Sequence, residues 1–128
     1  MNSGDGNVEI DKDLQTEITR LEETVKTYQS ESKYIEAIGV LEELLKIKKQ
    51  NMGTNSKQFT RSCKQLCEIC NILAVYYLKK EDINSALDLL KKSEELCENN
   101  ELGQAMTFNN MACYYRRIGK MRTALNFL

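Results

Sequence analysis

Three cysteines, Cys63, Cys67 and Cys70, stand in the pattern Cys-x3-Cys-x2-Cys and are the side chains best suited by type to chemistry. On a loop, three such thiolates could grip three irons of an iron–sulfur cluster. On a helix, steps of four and three line the sulfurs along one stripe, where cysteine packs as a small hydrophobe. Cys67 and Cys70 alone have the spacing of a redox pair, but no strand–helix–strand pattern surrounds them. Core packing is the expected role, and metal binding through Cys63, Cys67 and Cys70 is the lesser alternative. Cys97 and Cys113 also read as packing residues.

Other candidate chemistry is thin. The chain has no histidine, which excludes histidine triads, histidine metal sites and a histidine general base. The paired carboxylates Glu22-Glu23, Glu42-Glu43 and Glu94-Glu95 point about 100° apart on a helix, so none converges as an acid–base dyad. No glycine-rich phosphate loop and no nucleophile elbow is present. The one basic cluster is Arg116-Arg117 with Lys120 and Arg122 beside Tyr114 and Tyr115. A net charge of -1 argues against a general nucleic-acid binder, which needs a surplus of cations to displace phosphate counterions. No uncharged apolar run approaches the roughly 18 residues of a membrane span. We therefore expect neither enzyme activity nor a cofactor, and reduced thiols in a cytoplasmic setting.

The elements that position these residues are helices. There is no proline, and Leu, Glu, Lys and Ala abound. Residues 1–12 read as a polar, acidic, disordered lead-in without the apolar core of a signal peptide. Leu14, Ile18, Leu21, Val25 and Tyr28 then recur at helical steps, with Asp13 as a cap; the same spacing would suit a coiled-coil seam. Ser30–Lys33 breaks the pattern, and Ile35, Ala37, Ile38, Leu41, Leu44 and Leu45 form the apolar face of a second helix, ended by Lys46, Lys48, Lys49 and the turn at 50–56. Further helices are expected over 57–80, from Ile83 to about Glu98 with Asp82 as N-cap, over 101–117, and from Met121 onward. That last pattern is cut at Leu128, which suggests a fragment of a longer array.

The decisive signal is internal. Asn71–Leu90, NILAVYYLKKEDINSALDLL, is echoed by Asn109–Leu128, NNMACYYRRIGKMRTALNFL, with an offset of 38 residues and identity at Asn71/Asn109, Ala74/Ala112, Tyr76/Tyr114, Tyr77/Tyr115, Ala86/Ala124, Leu87/Leu125 and Leu90/Leu128. A fixed offset marks a repeat architecture, in which each unit buries its apolar face only against its neighbours. An earlier unit is fainter: Tyr28 precedes Ala37 by nine residues, as Tyr77 precedes Ala86, but Val25 replaces the small alanine and Ala37 lies 49 residues before Ala86. The turn position held by Gly119 is Glu81 and Ser32 in the other units.

Cys70-x2-Leu73-Ala74-x2-Tyr77 with Ala86-x3-Leu90, and Phe108-x2-Met111-Ala112-x2-Tyr115 with Ala124-x3-Leu128, resemble the tetratricopeptide repeat. The long spacers are similar to the extended repeats of kinesin light chain-like and ciliary scaffold proteins. The resemblance implies an all-α fold of stacked antiparallel helix pairs, a solenoid of about three helix–turn–helix units (13–50, 57–98 and 101–128, the last truncated), and a protein–protein interaction scaffold. It further implies a concave peptide-binding groove faced by Asn71, Val75 and Leu78 and by Asn109, Cys113 and Arg116. Asparagine amides there would clamp an extended peptide, and Arg116, with Lys79 or Arg117 at the rim, would pair with acidic groups. The expected partner is a protein or peptide with acidic residues, and the setting cytoplasmic, with a cytoskeletal or ciliary role implied by the subclass. The alternative is a purely structural block that self-associates through Phe127 and Leu128.

Overall fold

The computed structural model describes residues 12–128, and the expected lead-in lies outside them except for Lys12. Every regular element among the described residues is an α-helix: α1 (Lys12–Ser30), α2 (Tyr34–Met52), α3 (Lys57–Lys79), α4 (Ile83–Leu96), α5 (Glu101–Arg117) and α6 (Met121–Leu125). By contacts the chain divides into two compact units, Met1–Leu66 and Cys67–Leu128. The division falls inside α3.

In the first unit, α1 packs along α2, and Ile18, Leu21, Val25, Ala37, Leu41 and Leu44 are buried. Burial of this size, at about 25 cal/mol per Å² of apolar surface, is what holds two helices whose isolated propensities are marginal. Two expectations change. Asp13 sits in the first turn of α1 rather than capping it, because the helix already includes Lys12. Ile35, expected on the apolar face, is 62% exposed. The α2 helix also runs to Met52, beyond the expected end near residue 50. Gly53 stops it with a φ of 84°, while the Asn51 side chain donates back to the Ile47 carbonyl at 2.8 Å. Ser56 then accepts from the Phe59 amide at 3.0 Å and opens α3.

In the second unit, Ala74, Leu78, Ala86, Leu90, Met111 and Tyr114 form one buried cluster. Asp82 caps α4 by accepting from Ser85 N, and Asn100 caps α5 by accepting from Gly103 N. The Gly103 site is tight, since a Cβ there would lie 2.5 Å from Asn100 Nδ2 and 3.1 Å from Cys67 Sγ. The absence of a side chain lets α5 start close to α3. At the far end, Phe127 stacks on Tyr115 with centroids 5.5 Å apart and touches Phe108 at 5.9 Å.

The same turn occurs three times. Ser32, Glu81 and Gly119 all take positive φ, at 58°, 62° and 81°. After each, an amide reaches back five residues to a tyrosine carbonyl: Lys33 to Tyr28 at 2.8 Å, Asp82 to Tyr77 at 2.9 Å, and Lys120 to Tyr115 at 2.8 Å. This is the bond pattern that closes a helix through a left-handed residue. Its recurrence at offsets of 49 and 38 residues gives the repeat register a backbone basis.

Candidate functional site

In that register, Glu22, Asn71 and Asn109 are equivalent: Asn71 lies 49 residues after Glu22 and 38 before Asn109. Each stands on the first helix of its pair, one turn before Val25, Ala74 or Ala112. The structure gives them three different environments.

Asn71 is interior to the second unit, with 1% of its surface exposed. Its Nδ2 donates to Thr107 Oγ1 at 2.9 Å and to the Cys67 carbonyl at 3.1 Å, and its Oδ1 accepts from Asn110 Nδ2 at 2.8 Å. Thr107 and Asn110 lie three residues apart on α5 and are themselves buried. Ser93 of α4 closes the network from the other side, its hydroxyl donating to the Cys67 carbonyl at 3.4 Å. One helix, α5, thus clasps the amide through both its donor and its acceptor, which suits a group that would be costly to bury unbonded.

Glu22 has a charged version of the same arrangement in the first unit. Lys48 is wholly buried, and its Nζ donates to Glu22 Oε2 at 2.7 Å, Ser62 Oγ at 2.9 Å and the Gln58 carbonyl at 3.4 Å. Three acceptors meet the three ammonium protons. Lys48 was expected, with Lys46 and Lys49, only as part of a basic helix end. It is instead drawn inward because Glu22 and Ser62 together satisfy it.

Asn109 is exposed. Around it on α5, Ala105 and Arg116 are exposed, Cys113 is half-buried, and Leu102 is 75% exposed. The α3 residues 38 positions earlier are Cys67, Leu78, Val75 and Lys64. Of these Cys67 and Leu78 are buried and Val75 is half-buried.

The expected groove stripe is therefore split. Asn71 and Leu78 do not meet a partner, because Asn71 is clasped by α5 and Leu78 belongs to the core cluster with Met111 and Tyr114. Val75 is half-buried, whereas Lys79, Asn109 and Arg116 are open and Cys113 is partly so. Arg117 is exposed, but its Nη1 donates to the Leu78 carbonyl at 2.6 Å. That bond satisfies a carbonyl at the end of α3, where the helix dipole favours a cation, and brings Arg117 beside Lys79 and Lys80. Lys80 lies 5.6 Å over the exposed Tyr76 ring. Lys79 and Lys80 follow one another at the end of α3, Arg116, Arg117 and Lys120 lie at and just after the end of α5, and the Arg117–Leu78 bond joins the two ends.

The cysteine stripe packs. Cys67, Cys70 and Cys97 are buried thiols outside any disulfide, and Cys63 is half-buried. Burial pushes the Cys67 thiol up, against the hydrogen bond from Thr107. Burial pushes Cys70 further, to about 12, with the neighbouring Cys67 adding to the rise. Thiols held neutral are poor nucleophiles and poor ligands. Among the described residues no group of three or more His, Cys, Asp or Glu side chains is arranged to hold a metal ion. No helix among them is long and apolar enough to cross a membrane.

Thr107, Asn110, Ser93 and Lys48 were not found from the sequence. The available signal was polarity within otherwise apolar helical register, which Thr107 shows on α5 and Ser93 on α4. Comparison with models of known protein families and with curated proteins finds no match.

Proposed function

We propose that this chain is a tetratricopeptide-like repeat block that acts as a protein–protein interaction scaffold and performs no catalysis. One observation carries the reading: a stripe that α3 uses to hold α5 recurs on α5 itself, exposed, with Arg116 in place of Leu78. A repeat presents on an open helix the surface that its predecessor uses for packing, and such a surface is suited to capture. The capturing residues are Asn109, Cys113 and Arg116, with Lys79 and Arg117 at the rim, and the partner is a protein segment carrying acidic residues. Two exposed arginines, Lys79, Lys80 and Lys120 around this face supply the complementary charge. The scaffold would work in the cytoplasm, on a cytoskeletal or ciliary assembly as the extended repeats suggest.

Isothermal titration of the chain with a Glu-rich peptide and with its Lys-for-Glu counterpart tests the reading. Binding of the acidic peptide only, weakened by salt and abolished in the Asn109→Ala/Arg116→Ala double variant at unchanged helicity, is the expected result. Equal affinity for both peptides, or retained binding in the double variant, would end it.

A second reading has its own observation. Ile118, Met121, Leu125 and Leu128 are large apolar side chains left exposed around α6. They favour a structural block that self-associates through this end. Sedimentation velocity separates the two, because concentration-dependent assembly lost on Leu125→Lys substitution belongs only to the second.

A further inference from the structure

Where α3 meets α4 the side chains are small, and sulfurs of the cysteine stripe lie among them. Cys67 Sγ donates to the Ser93 carbonyl at 3.8 Å, while the Ser93 hydroxyl donates back to the Cys67 carbonyl at 3.4 Å. Reciprocal bonds from short side chains to the opposite backbone require the two helices to run very close there. Cys97 caps the end of α4, and its own amide bonds the same Ser93 carbonyl at 3.1 Å. One carbonyl oxygen thus gathers both cysteines. Their thiols are neighbours: burial foremost, and with it the adjacent Cys97 thiol, raises Cys67. Both residues are 1% exposed, and neither is in a disulfide. We propose that Cys67 and Cys97 form a redox modification site, at which a peroxide closes a disulfide that staples the end of α4 to the middle of α3.

The order of events follows from where the two sulfurs sit. Cys67 lies inside α3, whereas Cys97 is the last residue of its helix, with the exposed Glu98 and Asn99 just after it. Helix ends open at lower free energy than helix interiors, so the last turn of α4 releases Cys97 to solvent first. Its thiolate attacks one peroxide oxygen, the O–O bond breaks, and a sulfenic acid and a water result. On reclosing, the Cys67 sulfur attacks the Cys97 sulfur. The S–S bond forms, the S–O bond breaks, and the hydroxyl leaves as water with the Cys67 proton. Two thiols lose two hydrogens, and one peroxide becomes two waters. The bond links residues 30 apart in sequence and stabilises the fold chiefly by restricting the unfolded chain. Cys67 Sγ also lies 3.9 Å from Thr107 Oγ1, and 3.1 Å from where a Gly103 Cβ would stand, so the staple fastens the point at which α5 begins. This site stands apart from the scaffold reading and needs no partner.

The whole chain carrying Cys63→Ser and Cys113→Ser, which removes the two half-buried thiols, is held folded in hydrogen peroxide and then alkylated. Peptide mass mapping is expected to find a Cys67–Cys97 disulfide, two hydrogens lighter and reversed by dithiothreitol. The oxidised chain should melt about 10 °C higher than the reduced one, as closure of a loop of this length implies. Cys97→Ser should abolish both the bond and the shift, and Cys70→Ser should keep them; melting of the reduced variants checks that each is folded. A Cys67–Cys70 bond, a sulfinic acid in place of the disulfide, or a disulfide that leaves the melting temperature unchanged or lower overturns the proposal. So does an absence of reaction at Cys67 and Cys97 under peroxide that fully oxidises Cys113 in the unsubstituted chain.

Discussion

Replacing Asn71 by alanine and, separately, Asn109 by alanine asks whether equal register means equal burden. In Asn71→Ala the second unit loses the bonds to Thr107, the Cys67 carbonyl and Asn110, at 2.9, 3.1 and 2.8 Å. Each is worth about 1 kcal/mol net, and the stranded Asn110 amide, nine-tenths buried, keeps a desolvation cost of about 1 kcal/mol, so the change should cost about 3–4 kcal/mol. That is a large share of the roughly 5–15 kcal/mol by which domains are stable. In Asn109→Ala nothing buried is lost. Alanine is the better helix former by about 0.5 kcal/mol, so the protein should be unchanged or slightly more stable.

Urea unfolding followed by helical circular dichroism and by tyrosine fluorescence reads both, as shifts of midpoint at constant slope. Tyr76, Tyr77, Tyr114 and Tyr115 report on the second unit directly. Asn71→Leu keeps the volume and strands the same partners, and should cost about 2 kcal/mol; adding Asn110→Leu should then recover at least about 1 kcal/mol of coupling. An Asn71→Ala cost below about 0.5 kcal/mol, or equal costs at Asn71 and Asn109, would refute the clasp.

Three further perturbations follow from the same geometry. Lys48→Ala removes the fully buried ammonium from Glu22 and Ser62 and should destabilise the first unit by about 3 kcal/mol, whereas Lys48→Met, which keeps the stem's volume, should cost less than half of that, both read by urea unfolding. At the repeated turn, Glu81→Gly should gain about 0.5 kcal/mol, the left-handed strain of about 1 kcal/mol less the extra chain entropy of glycine, and Gly119→Ala should lose about 1 kcal/mol; opposite signs in thermal melts would contradict the assignment. Because Cys70 is raised from an ordinary 9.0 to about 12, folding holds a proton that the unfolded chain releases. Its stability contribution is full below pH 9 and lost as the pH rises toward 12, at up to about 1 kcal/mol per pH unit, and Cys70→Ala should flatten that slope; in native labelling the half-exposed Cys113 should react long before Cys70.

Helix positions and turns were legible in the sequence because both depend on local chemistry. The absence of proline, the cap at Asp82, and the offsets linking Tyr28, Tyr77 and Tyr115 fixed α3, α4 and α5 to within a residue or two, whereas the cap that Asn100 gives α5 was not read. Even the departure of Ser32 and Glu81 from glycine proved to be a difference of residue and not of backbone. What could not be read was which polar side chain lies inside. Lysine 48 looks like part of a basic helix end until Glu22 and Ser62, 26 residues before and 14 after it, are placed around its ammonium. The end of α2 was missed for a similar reason, since the turn was expected to begin at residue 50 although the Asn51 amide bonds within the helix.

Asn71 and Asn109 show why repetition in particular misleads about exposure. Identity at an offset of 38 residues reports that two residues sit alike on their own helices, which is a property of the unit. Burial is a property of the neighbour: Asn71 has α5 over it, and Asn109 has no described helix in that place. The residues that differ between the two copies carry the information that identity cannot. Were the α5 face meant for the same cover as the α3 face, a leucine at position 116 would serve as Leu78 does, joined to Met111 and Tyr114 in an apolar cluster. Arginine there forfeits that contact, and an exposed guanidinium donating only weakly to Cys113 at 3.7 Å gains little within the chain. Nothing among the described residues explains the arginine, and on the scaffold reading proposed above its role would be to match an acidic partner by charge.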